Sequence, residues 1–328
     1  MLAVSPDRPT EALKPPPLRH GDRVGIVAPA SFFKRERFEA GCAALRRMGY
    51  EPVFLDSIFD KDLYFAGSPE RRARELEQMF ARDDLRAIVC ARGGYGANYL
   101  LSHLDVEVIR KHPKIFVGYS DNTCLLTWLH DATGLVTFHG PMLTGDFARA
   151  GGVHESSWEA ATGGAASWQV AADPMVTLVP GTAEGALYGG CLSIVVASLG
   201  TPYEARTEGK LLFLEDVAAK PYQIDRMLMQ MRMAGKLKNV RGIVFGAMMD
   251  CVQSPDQPYT LQEVITRVVG DLGIPVAYGL PSGHFPGANI TLPFGIKAQL
   301  TASAQRAGLE ILESAVSRAQ AAKDTTQG

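Results

Sequence analysis

The chain lacks most of the features that assign a function at first sight. Its five cysteines (Cys42, Cys90, Cys124, Cys191 and Cys251) are odd in number and scattered, with no C-x-x-C pair. A disulfide framework or a structural zinc site is therefore not expected, and no metal is called for. No run of about 20 apolar residues occurs, so no membrane-spanning helix is expected. The net charge is only −2, which leaves no electrostatic footprint for nucleic acid or an anionic membrane surface. The glycine-rich run Gly93-Gly94-Tyr95-Gly96 lacks the G-x-G-x-x-G spacing and follows the third strand rather than the first. No dinucleotide or other cofactor is expected from it. The first residues, Met1 to His20, are polar and proline-rich, with Pro15-Pro16-Pro17 and no apolar core of a signal peptide. They read as a disordered leader over 1–20 and point to a cytoplasmic protein.

Apolar residues make up 46% of the 328 positions, enough to bury two sizeable cores, and the length favours two domains. The first half alternates short apolar runs with amphipathic ones. Val24–Ala28, Pro52–Leu55, Ala87–Ala91 and Ile115–Val117 read as strands; Glu36–Met48 and Glu70–Phe80 read as helices. Nearly all-apolar strands alternating with helices predict a parallel sheet covered on both faces. The pattern lapses over about 148–180, where Gly, Ala and Ser dominate and one short helix near Ser156–Ala161 is expected. Beyond it, Leu211–Leu214, Gly242–Gly246 and Val276–Tyr278 read as strands, with helices around Ile224–Met231 and Leu261–Val269. Short β segments with Pro and Gly turns then follow near Ile290–Leu292, Ala298–Thr301 and Leu309–Leu312. The predicted organisation is an α/β nucleophile domain over 21–150, of Rossmann-like or flavodoxin-like type. A linker over 151–182, a mixed α/β domain with antiparallel β segments over 183–314, and a polar tail over 315–328 complete it.

The most informative stretch is Ile115-Phe116-Val117-Gly118-Tyr119-Ser120-Asp121-Asn122-Thr123. It reads as strand, tight turn and helix, with Ser120 at the apex of the turn. There the hydroxyl projects from the scaffold and the Asp121 amide points back toward whatever Ser120 attacks. Asn122 stands where the G-x-S-x-G pattern has its last glycine, and Asn tolerates unusual backbone angles better than most residues. A serine nucleophile needs a base, an orienting acid and an oxyanion hole. Among seven histidines, His284 in Pro281-Ser282-Gly283-His284-Phe285-Pro286-Gly287 and His139 in Phe138-His139-Gly140-Pro141 are the candidates for the base. The acid is Glu215 or Asp216, at the end of the apolar run Leu211–Leu214. The loop Arg92-Gly93-Gly94-Tyr95-Gly96 offers close backbone approach and free amides beside that of Asp121. Arg92, at the head of that loop, is a candidate for binding an anionic group such as a carboxylate.

These motifs, with Leu214-Glu215-Asp216 and Tyr222-Gln223-Ile224-Asp225-Arg226, resemble in kind and order those of the LD-carboxypeptidases, peptidase family S66. The resemblance runs from about Gly21 to about Leu312. It implies a catalytic triad of Ser120, Glu215 and His284, with the serine from the first domain and its partners from the second. It further implies an oxyanion hole from Asp121, Gly93 and Gly94, and a cytoplasmic homodimer without cofactor. The implied substrate is a murein peptide, the tetrapeptide that ends in D-alanine. One departure stands out: family members often carry Asn after the paired glycines, and here Cys191 follows Gly189-Gly190. A related branch of the family cleaves peptide–nucleotide conjugates of the microcin C kind, for which Trp158 and Trp168 would be the candidates to stack on a base, and a non-catalytic binding module is the remaining alternative.

Overall fold

Strands that are apolar on both faces need cover on both faces, and the first half of the chain supplies it with helices between strands. The computed structural model describes residues 11–317. The first unit comprises β1 (Arg23–Val27), α1 (Arg35–Arg47), β2 (Glu51–Val53), α2 (Pro69–Ala81), β3 (Leu85–Cys90), α3 (Val106–Lys111), β4 (Ile115–Gly118), α4 (Thr123–Thr133) and β5 (Thr137–His139). The strands lie in the order β2-β1-β3-β4-β5 and all pair in parallel. That order is the flavodoxin-like one, whose sites form beyond the carboxyl ends of the strands. Local chemistry sets the boundaries. Ser68 caps α2 by accepting from the Arg71 amide, with Pro69 following it. Gly134, at φ +78°, ends α4.

The second unit comprises α5 (Glu155–Gly163), β6 (Trp168–Val179), β7 (Gly181–Cys191), α6 (Leu192–Ala197), β8 (Lys210–Val217), α7 (Pro221–Met233), β9 (Gly242–Met249), α8 (Leu261–Val269), β10 (Val276–Tyr278), β11 (Leu292–Phe294), β12 (Lys297–Ala302) and β13 (Ala307–Ile311). Seven of its strands close a barrel in the order β10-β6-β13-β12-β7-β8-β9. Pairing is parallel for β7-β8-β9-β10 and antiparallel around the rest. The eighth, β11, leaves the barrel and adds antiparallel to β5 at the edge of the first sheet.

The mixed α/β reading holds, and the structure adds what the sequence hides. The segment read as a linker over 151–182 holds α5, all of the barrel strand β6 and the start of β7. In β6 the run Ala171-Ala172-Asp173-Pro174 interrupts the β-favouring residues on either side, and pairing with β10 and β13 carries the strand through. Of the expected leader, residues 1–10 lie outside the described residues. Residues 11–20 pack on the fold: the Leu13 amide donates to Gly134 O and the Leu18 amide to Thr162 O, and Leu18 is buried. In the expected tail, Ala315 and Val316 are buried, and residues 318–328 lie outside the described residues. One contiguous apolar cluster runs from Ile88, Phe116 and Phe138 through Leu292 and Phe294 to Phe213, Leu300 and Leu309 in the barrel. A second, around Leu214, Ile224, Leu228, Phe245 and Ile265, seals the barrel against its helices.

Candidate active site

The apolar strand β4 brings the chain to Tyr119, and Ser120 then turns it sharply. Ser120 has φ +61°, in the left-handed region that non-glycine residues seldom enter. Such a conformation costs of order 1–3 kcal/mol and persists only where the surroundings enforce it. The enforcement is visible in Asn122, whose side-chain amide donates to Tyr119 O and Arg92 O at 3.3 and 3.2 Å. A side chain thus does the tying where other elbows place a glycine.

Ser120 meets residues from the barrel. Its Oγ lies 3.0 Å from His284 Nε2, and His284 Nδ1 lies 2.7 Å from Glu215 Oε2. The same Oε2 accepts the His284 backbone amide at 3.0 Å. A carboxylate only accepts, so Nδ1 carries the ring proton and Nε2 is left to accept from the Ser120 hydroxyl. Glu215 ends the apolar stretch of β8 and is fully buried; the His284 side chain is 21% exposed. Burial alone would raise the Glu215 carboxyl, but contacts with His139 and His284 outweigh it and hold the group at about 2. Burial would lower His284; the Glu215 hydrogen bond and charge overcome this and raise it above the ordinary 6.5.

Space at the site is made by glycine. Gly283 has φ +97°, and a Cβ there would fall 2.4 Å from Glu215 Oε2. Only glycine lets this loop bring the His284 amide onto the carboxylate. A Cβ on Gly93 would lie 2.9 Å from Ser120 Oγ and 3.4 Å from the Asp121 nitrogen. Gly93 and the Asp121 amide therefore border the hydroxyl. Gly94, at φ +103°, is turned instead against Ser31. The buried Asp121 carboxylate accepts the Ala97 amide at 2.7 Å and so ties the glycine loop to the serine turn. Burial pushes that carboxyl up to about 6, against the lowering pull of the Ala97 and Gly96 amides and Arg72.

The other candidates fall elsewhere. Asp216 faces away from His284 and accepts the amides of Ser193 and Val217, both at 2.8 Å, capping α6. Arg92 donates to Phe32 O at 2.8 Å, so its guanidinium already serves a carbonyl. His139 does not reach Ser120; it packs on the far side of Glu215, with its Nε2 3.8 Å from Oε1. Cys191 is buried, its amide donates to Thr123 Oγ1 at 3.0 Å, and burial with the charges of Glu215 and Asp216 raises its thiol far up. Trp158 is wholly buried between Tyr50 and Phe147 and offers no face to a ligand. Trp168 lies in β6, paired with Ile311 of β13 in the barrel wall. Sequence reasoning missed Arg149, which donates to Phe285 O and Gly287 O at 3.2 and 2.8 Å and steadies the His284 loop. No local pattern marks a contact across 136 residues. The arrangement can pass a proton from a hydroxyl to an imidazole that is held by a buried carboxylate, the chemistry of acyl transfer.

Residues 24–140 match the family model for the LD-carboxypeptidase N-terminal domain, and residues 184–300 match that for the LD-carboxypeptidase C-terminal domain. A Bacillus subtilis protein named "Probable murein peptide carboxypeptidase" is 38% identical over 90% of this chain and 94% of its own length. The Escherichia coli microcin C7 self-immunity protein MccF is 28% identical over 86% of this chain and 92% of its own. The crystal structure of muramoyltetrapeptide carboxypeptidase from Oxalobacter formigenes superimposes with a TM-score of 0.79 at 30% identity, covering 89% of this chain and 99% of that one.

Proposed function

Because this chain belongs to the LD-carboxypeptidase family, peptidase S66, we propose that it is a serine-type carboxypeptidase that releases the terminal D-alanine of murein tetrapeptide. The observation that carries the reading is the contact chain Ser120–His284–Glu215, at 3.0 and 2.7 Å, assembled from three distant segments. His284 takes the Ser120 proton as the hydroxyl attacks the scissile carbonyl. Glu215 holds the imidazole in its Nδ1–H tautomer and stabilises the imidazolium. The amides of Asp121 and Gly93, with Gly94 shaping the loop, receive the oxyanion. His284 then protonates the departing amine of D-alanine, and water hydrolyses the acyl-enzyme by the reverse proton path.

The test is release of D-alanine from murein tetrapeptide by the wild type beside Ser120→Ala. The wild type should turn over and the variant should lose at least about a thousandfold in kcat. Equal release by both would remove Ser120 from the mechanism. Cleavage of a peptidyl-nucleotide by the wild type, without D-alanine release, would instead favour the microcin-conjugate reading. Burial of Trp158 withdraws one of the two tryptophans that the alternative would use to stack on a base.

A further inference from the structure

His139 closes β5 with its ring fully buried, and the proposed roles of Ser120, His284 and Glu215 leave it without one. Its two nitrogens have unequal surroundings. Nδ1 lies 3.2 Å from Ser282 Oγ, and that hydroxyl lies 2.8 Å from Ile290 O. A carbonyl oxygen can only accept, so Ser282 gives its single proton to Ile290. The ring must then donate, from Nδ1–H to Ser282 Oγ. On the opposite edge, Nε2 faces Glu215 Oε1 at 3.8 Å, and neither atom has a hydrogen-bond partner among the described residues. A bare nitrogen lone pair aimed at a carboxylate oxygen between two fully buried side chains is repulsive, whereas an N–H there is attractive. Separations of this kind shorten when a site engages its substrate. The other oxygen, Oε2, is already occupied twice by His284.

We propose that His139 carries a proton on both ring nitrogens and is a positioning residue, a buried imidazolium that holds the free oxygen of Glu215 and offsets its charge. This rests on the reading of Glu215 as the acid of the triad. Glu215 then sits between two imidazoles with different tasks. His284, partly open to solvent, gains and loses a proton in each turnover; His139, sealed in, keeps both of its own. The compensation lets a fully buried carboxylate stay ionised, and it limits how strongly that carboxylate draws a proton onto His284. The groups facing the His139 ring are Glu215 and Phe213 from β8, Ser282 from the loop after β10, Tyr119 at 5.8 Å from the end of β4, and Phe294 from β11. Asp146 stands behind Tyr119. Glu215 is thus the charged group nearest the ring, and His284 lies beyond it on the other carboxylate oxygen.

Two measurements test this. The first needs no substrate: ring ¹⁵N spectra of histidine-labelled wild type at neutral pH, with His139→Gln supplying the assignment. Both His139 nitrogens should resonate as protonated; a lone-pair signal from Nε2 would overturn the proposal even if D-alanine release is never seen. The second is kinetic. His139→Phe should lower kcat by about tenfold or more, the size typical of losing a group that orients a reacting side chain, with KM within about twofold. His139→Gln, which keeps a neutral N–H donor, should recover part of that loss. In both variants the acid limb of kcat/KM should move to higher pH, because Glu215 acts on His284 without compensation. An unmoved limb with equal losses in both variants would reduce His139 to packing and refute the assigned role.

Discussion

At Glu215 and His284 two opposite shifts belong to one contact. The carboxyl is held at about 2 and the imidazole is raised above 6.5. A base must be neutral to accept the Ser120 proton, so kcat/KM should rise with pH through a midpoint above 6.5. Removing the negative charge with Glu215→Gln should move that midpoint down as well as cut the rate; a midpoint that stays in place would show that Glu215 does not set the basicity of His284. The same pair bears on stability. A depressed carboxyl contributes stability above its ordinary 4.5 that is lost as pH falls through about 2, and a raised imidazole contributes stability below 6.5 that is lost as pH rises through its folded value. The pair is therefore worth most between about pH 4.5 and 6.5, and the urea stability gap between wild type and Glu215→Gln should be widest there. Asp216 gives a contrast one residue away. It caps α6 and does not touch His284, so Asp216→Ala should cost stability of about 1 kcal/mol while leaving kcat within an order of magnitude. A larger loss of kcat than in Glu215→Ala would exchange the roles of the two acids.

Each element of the site is placed by a feature of a different kind, and this decides what a sequence can reveal. The turn from β4 into α4 is legible because the strand, the turn and the first helical turn all lie within Ile115–Cys124. The β8 carboxylates and the glycine-flanked His284 are legible for the same local reason. The pairing of His284 with Glu215 rather than Asp216 is not, because alternation along β8 fixes only that the two point opposite ways. Residues 168–191 were hardest to read. Gly181, Gly185, Gly189 and Gly190 lie in β7, and four glycines in eleven residues give no strand signal. Their reason is tertiary. Gly190, at φ +129°, lies where a Cβ would fall 2.6 Å from Thr123 Oγ1, the atom that accepts the Cys191 amide. Here the barrel rests directly on the first turn of α4, the helix that follows Ser120. Gly190→Ala should lift α4 off β7, lower kcat by about tenfold or more and destabilise the fold by about 1–3 kcal/mol. Full activity and an unchanged melting temperature in that variant would show that the contact does not position Ser120.

Across the whole molecule the sheet and the barrel are separate layers, but their chain segments and their cores are shared. The stretch from Pro281 to Phe294 starts at the barrel, carries His284, and ends as β11 on the edge of the first sheet, where Leu292 pairs with His139 and Phe294 with Thr137. On the way, Asn289 exchanges backbone hydrogen bonds with Gly152 and His154, and Arg149 clamps Phe285 and Gly287. The apolar cluster behind these contacts is continuous from Phe138 to Leu309. Pulling the units apart would expose this cluster, at about 25 cal/mol for each Å² of apolar surface, and leave the outer edge of β5, which β11 covers, unpaired. Neither unit is then expected to outlast the other on unfolding, although a chain of this length commonly shows intermediates. Tryptophans report on each side: Trp128 lies in α4, the helix that follows Ser120, and Trp168 lies in the barrel strand β6. Variants retaining Trp128 alone and Trp168 alone should give the same urea midpoint by fluorescence, and D-alanine release should fail at that midpoint too. If Trp168 instead reported unfolding at a lower urea concentration than Trp128, the barrel would be an independent unit. The triad would then be lost while the serine-bearing sheet still stood.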